Sequence, residues 1–275
     1  MDVALVQLAS GLDLERNRLR ASEAVRAAAG AGAELVVLPE AAMCGFGSPT
    51  TPLGPLAEPL DGPFVTALAD LASKTGATVV AGMFERPAAS VAAGGRVHNT
   101  LVAVGPGGLQ AVYRKLHLYD ALGWRESARV LPGELGPDAL ALLALGGLTF
   151  GLLTCYDLRF PELARALAVS GATALLVPAA WVAGPRKAAQ WGDLLRARAI
   201  ESALYVLAAA QPGPDYTGRS AVVDPAGVVL AEADGDADGP PAGLVVVGLD
   251  PTTVADVRAG MPVLEARRFD VVPRR

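Results

Sequence analysis

Short apolar runs alternate with helix-like segments from the start of this chain, and that alternation limits its fold more than any other feature. Val3–Leu8, Leu35–Leu38 and Thr78–Phe84 read as strands, and Leu14–Ala29 and Phe64–Lys74 as the helices between them. Asp13 is the expected cap of the first helix and Gly30–Gly32 its stop, while Gly76 stops the second. A β-α-β-α-β run implies largely parallel strands covered on both faces, which explains why they are apolar throughout. Leu148–Thr154, Pro161–Val169 and Ala174–Val177 form a second unit of the same kind.

Two hairpins follow these units. Thr100–Val104 turns at Gly105-Pro106-Gly107-Gly108 and returns through Leu109–Lys115. Ser220–Asp224 turns at Pro225-Ala226-Gly227 and returns through Val228–Ala231. The chain therefore reads as two similar halves, satisfied by two sheets packed face to face with helices outside. The stretch from Gly47 to Gly62 carries four prolines, so neither helix nor strand runs through it; its nearness to Glu40 suits a wall or lid. Ala88–Gly95 reads as a small flexible loop and Asp234–Gly243 as an acidic surface turn. None is long enough to link domains, so residues 1–275 are expected to form one α/β domain.

Composition narrows the function. Of the 275 residues 52% are hydrophobic and 19% charged, which favours a sizeable core over disorder. The net charge of −5, without a basic cluster, gives no footprint for nucleic acid or an anionic membrane. The apolar runs fall short of the ~20 residues of a spanning helix. The N-terminus enters its first strand without a basic region or a small-residue cleavage site, so a cytoplasmic protein is expected. Two cysteines and two histidines build neither a disulfide framework nor a zinc site.

Three polar residues close strand-like runs: Glu40 after Leu35-Val36-Val37-Leu38-Pro39, Lys115 after Tyr113-Arg114, and Cys155 after Gly151-Leu152-Leu153-Thr154. A carboxylate, an ammonium and a thiol at strand ends form a set for acyl transfer. Cys155 precedes a helix beginning near Pro161, where a helix N-terminus would favour thiolate. Read singly, each has a plain alternative: a buried inert cysteine, a loop glutamate, an edge-strand lysine. Glu126 alone reads as a surface charge beside Arg125. His117, two residues from Lys115, leaves a Cys–His pair open, and His98 reads as a structural hydrogen-bonding residue.

The ordered set of motifs resembles the nitrilase superfamily of carbon–nitrogen hydrolases. It runs from Leu38-Pro39-Glu40 through Tyr113-Arg114-Lys115-Leu116-His117, Arg125-Glu126-Ser127 and Cys155-Tyr156-Asp157-Leu158-Arg159-Phe160-Pro161-Glu162. Pro178-Ala179-Ala180-Trp181, Arg196-Ala197-Arg198-Ala199-Ile200-Glu201 and Ser220–Pro225 continue it. The resemblance implies a four-layer α-β-β-α sandwich and a triad of Glu40 as base, Lys115 as electrophile and Cys155 as nucleophile, with Glu126 beside the lysine. It also implies an oxyanion site at the Tyr156 N–H, with Arg159 and Trp181 near the substrate. The cysteine motif is closest to amidases of small linear amides, a branch that includes omega-amidases and deaminated-glutathione amidases. No cofactor or metal is expected. A nitrilase or N-carbamoyl hydrolase would use the same residues, and a non-catalytic α/β binding protein is the alternative of another class. Gly218-Arg219-Ser220 and Pro225-Ala226-Gly227 depart from the family pattern. A homodimer or higher homo-oligomer is expected, formed through the helix around Leu194–Leu204 and the tail Val263–Phe269.

Overall fold

The computed structural model describes residues 1–88, 94–136 and 139–272. Of the expected Ala88–Gly95 loop, residues 89–93 lie outside the described residues. The first half runs β1 (Asp2–Val6), α1 (Leu14–Gly30), β2 (Leu35–Val37), α2 (Pro63–Thr75), β3 (Thr78–Glu85), β4 (Val97–Gly105), β5 (Gly108–Arg114) and β6 (Val130–Leu131). The second runs β7 (Leu142–Leu145), β8 (Leu148–Leu152), α3 (Pro161–Val169), β9 (Ala174–Leu176), α4 (Lys187–Ser202), β10 (Tyr205–Ala208), β11 (Ala221–Val223) and β12 (Val229–Glu232). β13 (Leu244–Gly248) and α5 (Pro251–Gly260) complete it.

The strands make two sheets ordered β13-β1-β2-β3-β4-β5, with β6 beside β4, and β12-β11-β10-β9-β8-β7. Each holds three parallel strands, β1-β2-β3 or β8-β9-β10. Each adds an antiparallel hairpin on one side, β4-β5 or β11-β12, and one antiparallel strand on the other, β13 or β7. The two-half reading is thus visible as a repeated sheet plan.

Side-chain alternation makes the layers. Val3, Leu5, Leu35, Val37, Leu101 and Ala103 point into the core shared with the second sheet. Their neighbours Ala4, Val6, Val36, Val102 and Val104 pack with α1 and α2 residues such as Val25 and Leu68. A one-residue slip would exchange these faces, and each fully buried Val or Leu contributes about 1.5–3 kcal/mol, so the register is firmly set. With α3 and α4 covering the second sheet, the result is the four-layer α-β-β-α sandwich.

Local signals behave as the sequence indicates. The Asp13 carboxylate accepts from the Arg16 N–H at 3.0 Å, and Gly76 ends α2 at φ 77°. The helix expected around Leu194–Leu204 begins earlier, at Lys187, and ends at Ser202 because Ala203 takes φ 46° and turns the chain into β10. One glycine deserves its place through contact: a Cβ on Gly82 in β3 would sit 2.5 Å from the Ala41 nitrogen and 2.7 Å from Glu40 Cα. Gly82→Ala is therefore expected to cost about 1–3 kcal/mol in denaturant titration and to lower activity by displacing Glu40. A variant with unchanged stability would mean that the Glu40 turn yields freely.

Candidate active site

The parallel strands of both sheets end on the same cavity, the place where α/β sheets gather ligands. Glu40 arrives three residues beyond β2, in a turn continued by Ala41 at φ 56°. Lys115 follows β5 directly. Cys155 lies beyond β8 at φ 47°, in a helical turn running to Arg159. A left-handed backbone at a non-glycine residue costs of order 1–3 kcal/mol and is kept where neighbours enforce it. Here the Cys155 N–H donates to the Pro178 carbonyl at 3.0 Å.

Glu40, Lys115 and Glu126 are buried as one cluster. The Lys115 ammonium donates to Glu40 Oε1 at 3.0 Å and to both Glu126 oxygens at 3.1 and 2.9 Å. Asn99 Nδ2 bridges the same carboxylates, at 2.7 Å to Glu40 and 3.1 Å to Glu126. The Ala180 N–H donates to Glu40 Oε2 at 2.7 Å, and the Tyr119 N–H to Glu126 Oε2 at 2.6 Å. Gln211 Nε2 reaches from beyond β10 to the Glu40 carbonyl at 2.8 Å. Both sheets therefore hold the Glu40 carboxylate in one orientation. Glu126 is no surface charge; its partner is Lys115 rather than Arg125.

Burial by itself would lower Lys115, but the charges of Glu126 and Glu40 override it and hold the ammonium well above its ordinary range. Burial and the adjacent, hydrogen-bonded Glu40 push the Cys155 thiol well above its ordinary value, against the opposing pull of Lys115. The helix N-terminus does not make a resting thiolate, because desolvation and a carboxylate outweigh it. Burial beside Glu40 therefore favours the protonated thiol over the thiolate. Alkylation by iodoacetamide without substrate should accordingly keep rising beyond about pH 8, roughly tenfold per pH unit, as the small thiolate fraction grows. A plateau below that pH would show a preformed thiolate.

His117 does not face the thiol. β5 ends at Arg114, and the chain turns so that His117 Nδ1 meets Asp157 Oδ1 at 2.7 Å and its ring stacks on Phe160 at 3.8 Å. Asp157 also accepts from the Tyr113 hydroxyl at 2.7 Å and the Thr154 N–H at 2.9 Å. It thus ties the Cys155 turn to the strand that delivers Lys115. Asp157 and Asn99 are the positioning residues that the motif reading passed over; their signal was only a polar residue beside a strand end. His98 is structural, with Nδ1 3.2 Å from the Leu131 carbonyl.

The cavity has a volume of about 50 Å³. Its base is Glu40, Lys115, Glu126 and Cys155; Tyr156, Arg159 and Trp181 line it, as do Arg129 and Lys187. Phe46, just before the proline-rich segment, lines the cavity; no residue from Gly47 to Gly62 does, and the segment is tied to the site only through Arg129, whose Nη1 donates to the carbonyls of Phe46, Ser48 and Thr51 at 2.9–3.2 Å. Among the described residues, no group of three or more His, Cys, Asp or Glu side chains is placed to hold a metal ion. No helix among them is long and apolar enough to cross a membrane.

Residues 2–259 match the sequence model of the carbon-nitrogen hydrolase family. The chain belongs to the carbon–nitrogen hydrolase family. This hydrolase is 41% identical over 281 residues to a hydrolase of Mycobacterium tuberculosis, covering 96% of this chain and 94% of that protein. It is 37% identical over 284 residues to the deaminated glutathione amidase of Synechocystis sp. PCC 6803, covering 97% of each. Among solved structures it resembles the Nesterenkonia AN1 amidase from the nitrilase superfamily, with 30% identity, a TM-score of 0.76 and 95% of each chain covered. A second structure of that amidase shows acrylamide joined by Michael addition to its active-site cysteine (29% identity, TM-score 0.77, 95% of this chain and 98% of that one). The carbon–nitrogen hydrolase fold, enzyme class and superfamily expected from the motifs therefore stand.

Proposed function

We propose that this carbon–nitrogen hydrolase is an amidase of small linear amides, working through a thioester on Cys155. The observation that carries the reading is one buried ammonium, Lys115, held between two carboxylates beside the buried Cys155 thiol, whose hydrogen-bond partner is Glu40. Glu40 takes the thiol proton as Sγ attacks the amide carbonyl. The oxyanion forms against Lys115 Nζ and the Tyr156 N–H. The proton passes to the amide nitrogen, the C–N bond breaks and ammonia or an amine leaves. Glu40 then deprotonates a water, which opens the thioester to release the carboxylic acid and restore Cys155. Glu126 fixes the position and charge of Lys115, while Arg159 and Trp181 contact the remainder of the substrate. No step calls for a metal or a cofactor.

The similarity to a deaminated glutathione amidase and to the Nesterenkonia amidase supports amides over nitriles or N-carbamoyl compounds. Ammonia release from a matched panel of the three tests it. Faster turnover of nitriles or carbamoyl compounds would move the assignment, and release from none of them would favour the non-catalytic binding reading.

We further propose that residues 1–275 act as one domain, assembled as a homodimer or higher homo-oligomer in the cytoplasm. The family match over nearly the whole chain supports the first point, and two unpaired cysteines suit a reducing compartment. Ile200 on α4 and Phe269 in the tail, 49% and 89% exposed, are apolar surface that a partner would cover. Leu264, by contrast, packs on its own core. Light scattering is expected to give at least a dimer mass, weakened by deletion after Met261; a clean monomer would refute the assembly. Recovery in the membrane or secreted fraction of host cells would refute the location.

A further inference from the structure

Tyr216 lies in the loop between β10 and β11, and its side chain lines the catalytic cavity. Main-chain bonds fix that loop on two sides. Tyr216 bridges Val182 in antiparallel fashion; the Ala183 N–H donates to the Asp215 carbonyl at 2.8 Å and the Thr217 N–H to the Trp181 carbonyl at 2.9 Å. The segment gripped in this way follows directly on Ala180, whose N–H holds Glu40 Oε2. On the other side the Gly218 N–H donates to the Gln211 carbonyl at 3.1 Å, and Gln211 Nε2 holds the Glu40 carbonyl. Both attachments lead to Glu40, so the main chain sets where the phenol stands relative to that carboxylate.

The hydroxyls of Tyr113, Tyr119 and Tyr205 have protein partners; among the described residues that of Tyr216 has none. Burial, and then the charges of Glu40, Asp215 and Cys155, push the Tyr216 phenol well above its ordinary value, against the pull of Arg129. It stays protonated beside Glu40 and adds no further negative charge to the cavity. A neutral hydroxyl there is free to accept one hydrogen bond and donate another.

The hydrogen bonds of Glu40 show where a reacting proton can go. A carboxylate oxygen offers about two acceptor positions. Oε1 is filled by Lys115 and Asn99, whereas Oε2 has only the Ala180 N–H. In the first half of the reaction the thiol can reach Oε2 directly. In the second half the sulfur is acylated, and a water must take that place. One hydrogen bond fixes the distance of a water but lets its lone pairs swing; a second fixes their direction.

We propose that Tyr216 is a further catalytic residue, specific to deacylation: its hydroxyl oxygen accepts one hydrogen of the attacking water while Glu40 Oε2 takes the other. The role rests on the thioester route proposed above. The water oxygen bonds the acyl carbon as its proton passes to Glu40. The C–S bond then breaks, the sulfur recovers the proton from Glu40, and the carboxylic acid leaves. Tyr216 ends the step as it began.

The test follows a single turnover with the full-length enzyme in excess, using succinamate or butyramide, whichever releases ammonia faster. Ammonia reports formation of the thioester, and the carboxylic acid reports its hydrolysis. In Tyr216→Phe ammonia should appear within about twofold of the wild-type rate. The acid should appear about tenfold more slowly, as for loss of a hydrogen bond to the reacting water. Intact mass should show the acyl group on Cys155 persisting correspondingly longer. The thermal midpoint should not change, because the hydroxyl has no protein partner to lose. Equal slowing of ammonia and acid would mark a structural residue, and an unchanged acid rate would leave the phenol without a part in deacylation; either result overturns the proposal. If a nitrile or an N-carbamoyl compound is the better substrate, the amide reading fails, and the decay of the thioester formed from that compound tests Tyr216 in the same way. If none of the three classes acylates Cys155, the thioester route and the role of Tyr216 fall together.

Discussion

Cys155→Ala is expected to lower ammonia release by about 10⁴–10⁶-fold while leaving the fold intact. The thiol is the one atom at the cavity base proposed to form the covalent intermediate, so its loss removes the thioester route altogether. The surrounding turn should persist. Asp157 keeps its bonds to the Thr154 N–H, the Tyr113 hydroxyl and His117, and the Cys155 N–H still donates to Pro178. Thermal denaturation should therefore change little. Substrate-derived mass trapped on the wild-type enzyme should appear on the peptide containing Cys155. It should be missing from the Cys44 peptide, because that thiol is fully buried and pushed up to about 11 by desolvation. Substantial ammonia release by the Ala variant would remove Cys155 from the nucleophile role.

The parts of this fold that were legible in the sequence are those with local punctuation. Asp13, Gly76 and Pro161 mark α1, α2 and α3, and the glycine-rich turns mark both hairpins. β13 carried no such mark: its register partner Asp2 lies opposite Gly248, at the other end of the chain, and that pairing is invisible to a local window. α4 hid its start because Arg186 provides a left-handed turn without a glycine or a side-chain cap. That omission left Lys187 outside the motif reading. Glu40, Lys115 and Cys155 were legible through the ordered motifs that resemble the nitrilase superfamily; read singly, each strand-end residue kept a plain structural alternative. Asn99 was not, since its role exists only when β2, β4 and the Glu126 turn meet. The charge state of the thiol was also beyond sequence reach: a helix start argues for thiolate, and only burial beside Glu40 decides against it.

Lys115→Met should damage both rate and stability, and the two losses should respond in opposite ways to a second change. Met fills much of the same space, so packing is largely kept. What disappears is the cation between Glu40 and Glu126, 1% and 6% exposed. Breaking a buried ion pair from one side typically costs about 3–5 kcal/mol, because an uncompensated charge stays behind. Here two remain, joined through Asn99 Nδ2 alone. Loss of the proposed oxyanion partner should remove roughly 3–4 kcal/mol of barrier lowering, or several hundredfold in rate, before any disturbance of Glu40. Glu40→Gln, alone, should be at least as slow because it removes the proposed base. Combining them removes one of the two stranded charges. The double variant should then recover part of the stability lost in Lys115→Met, read by denaturant titration. Its activity should stay near that of the slower single variant, since groups acting as one unit lose their effect together. A double variant less stable than Lys115→Met would show that repulsion between the carboxylates is not what Lys115 relieves. One that multiplies the two rate losses would separate Glu40 and Lys115 into independent functions.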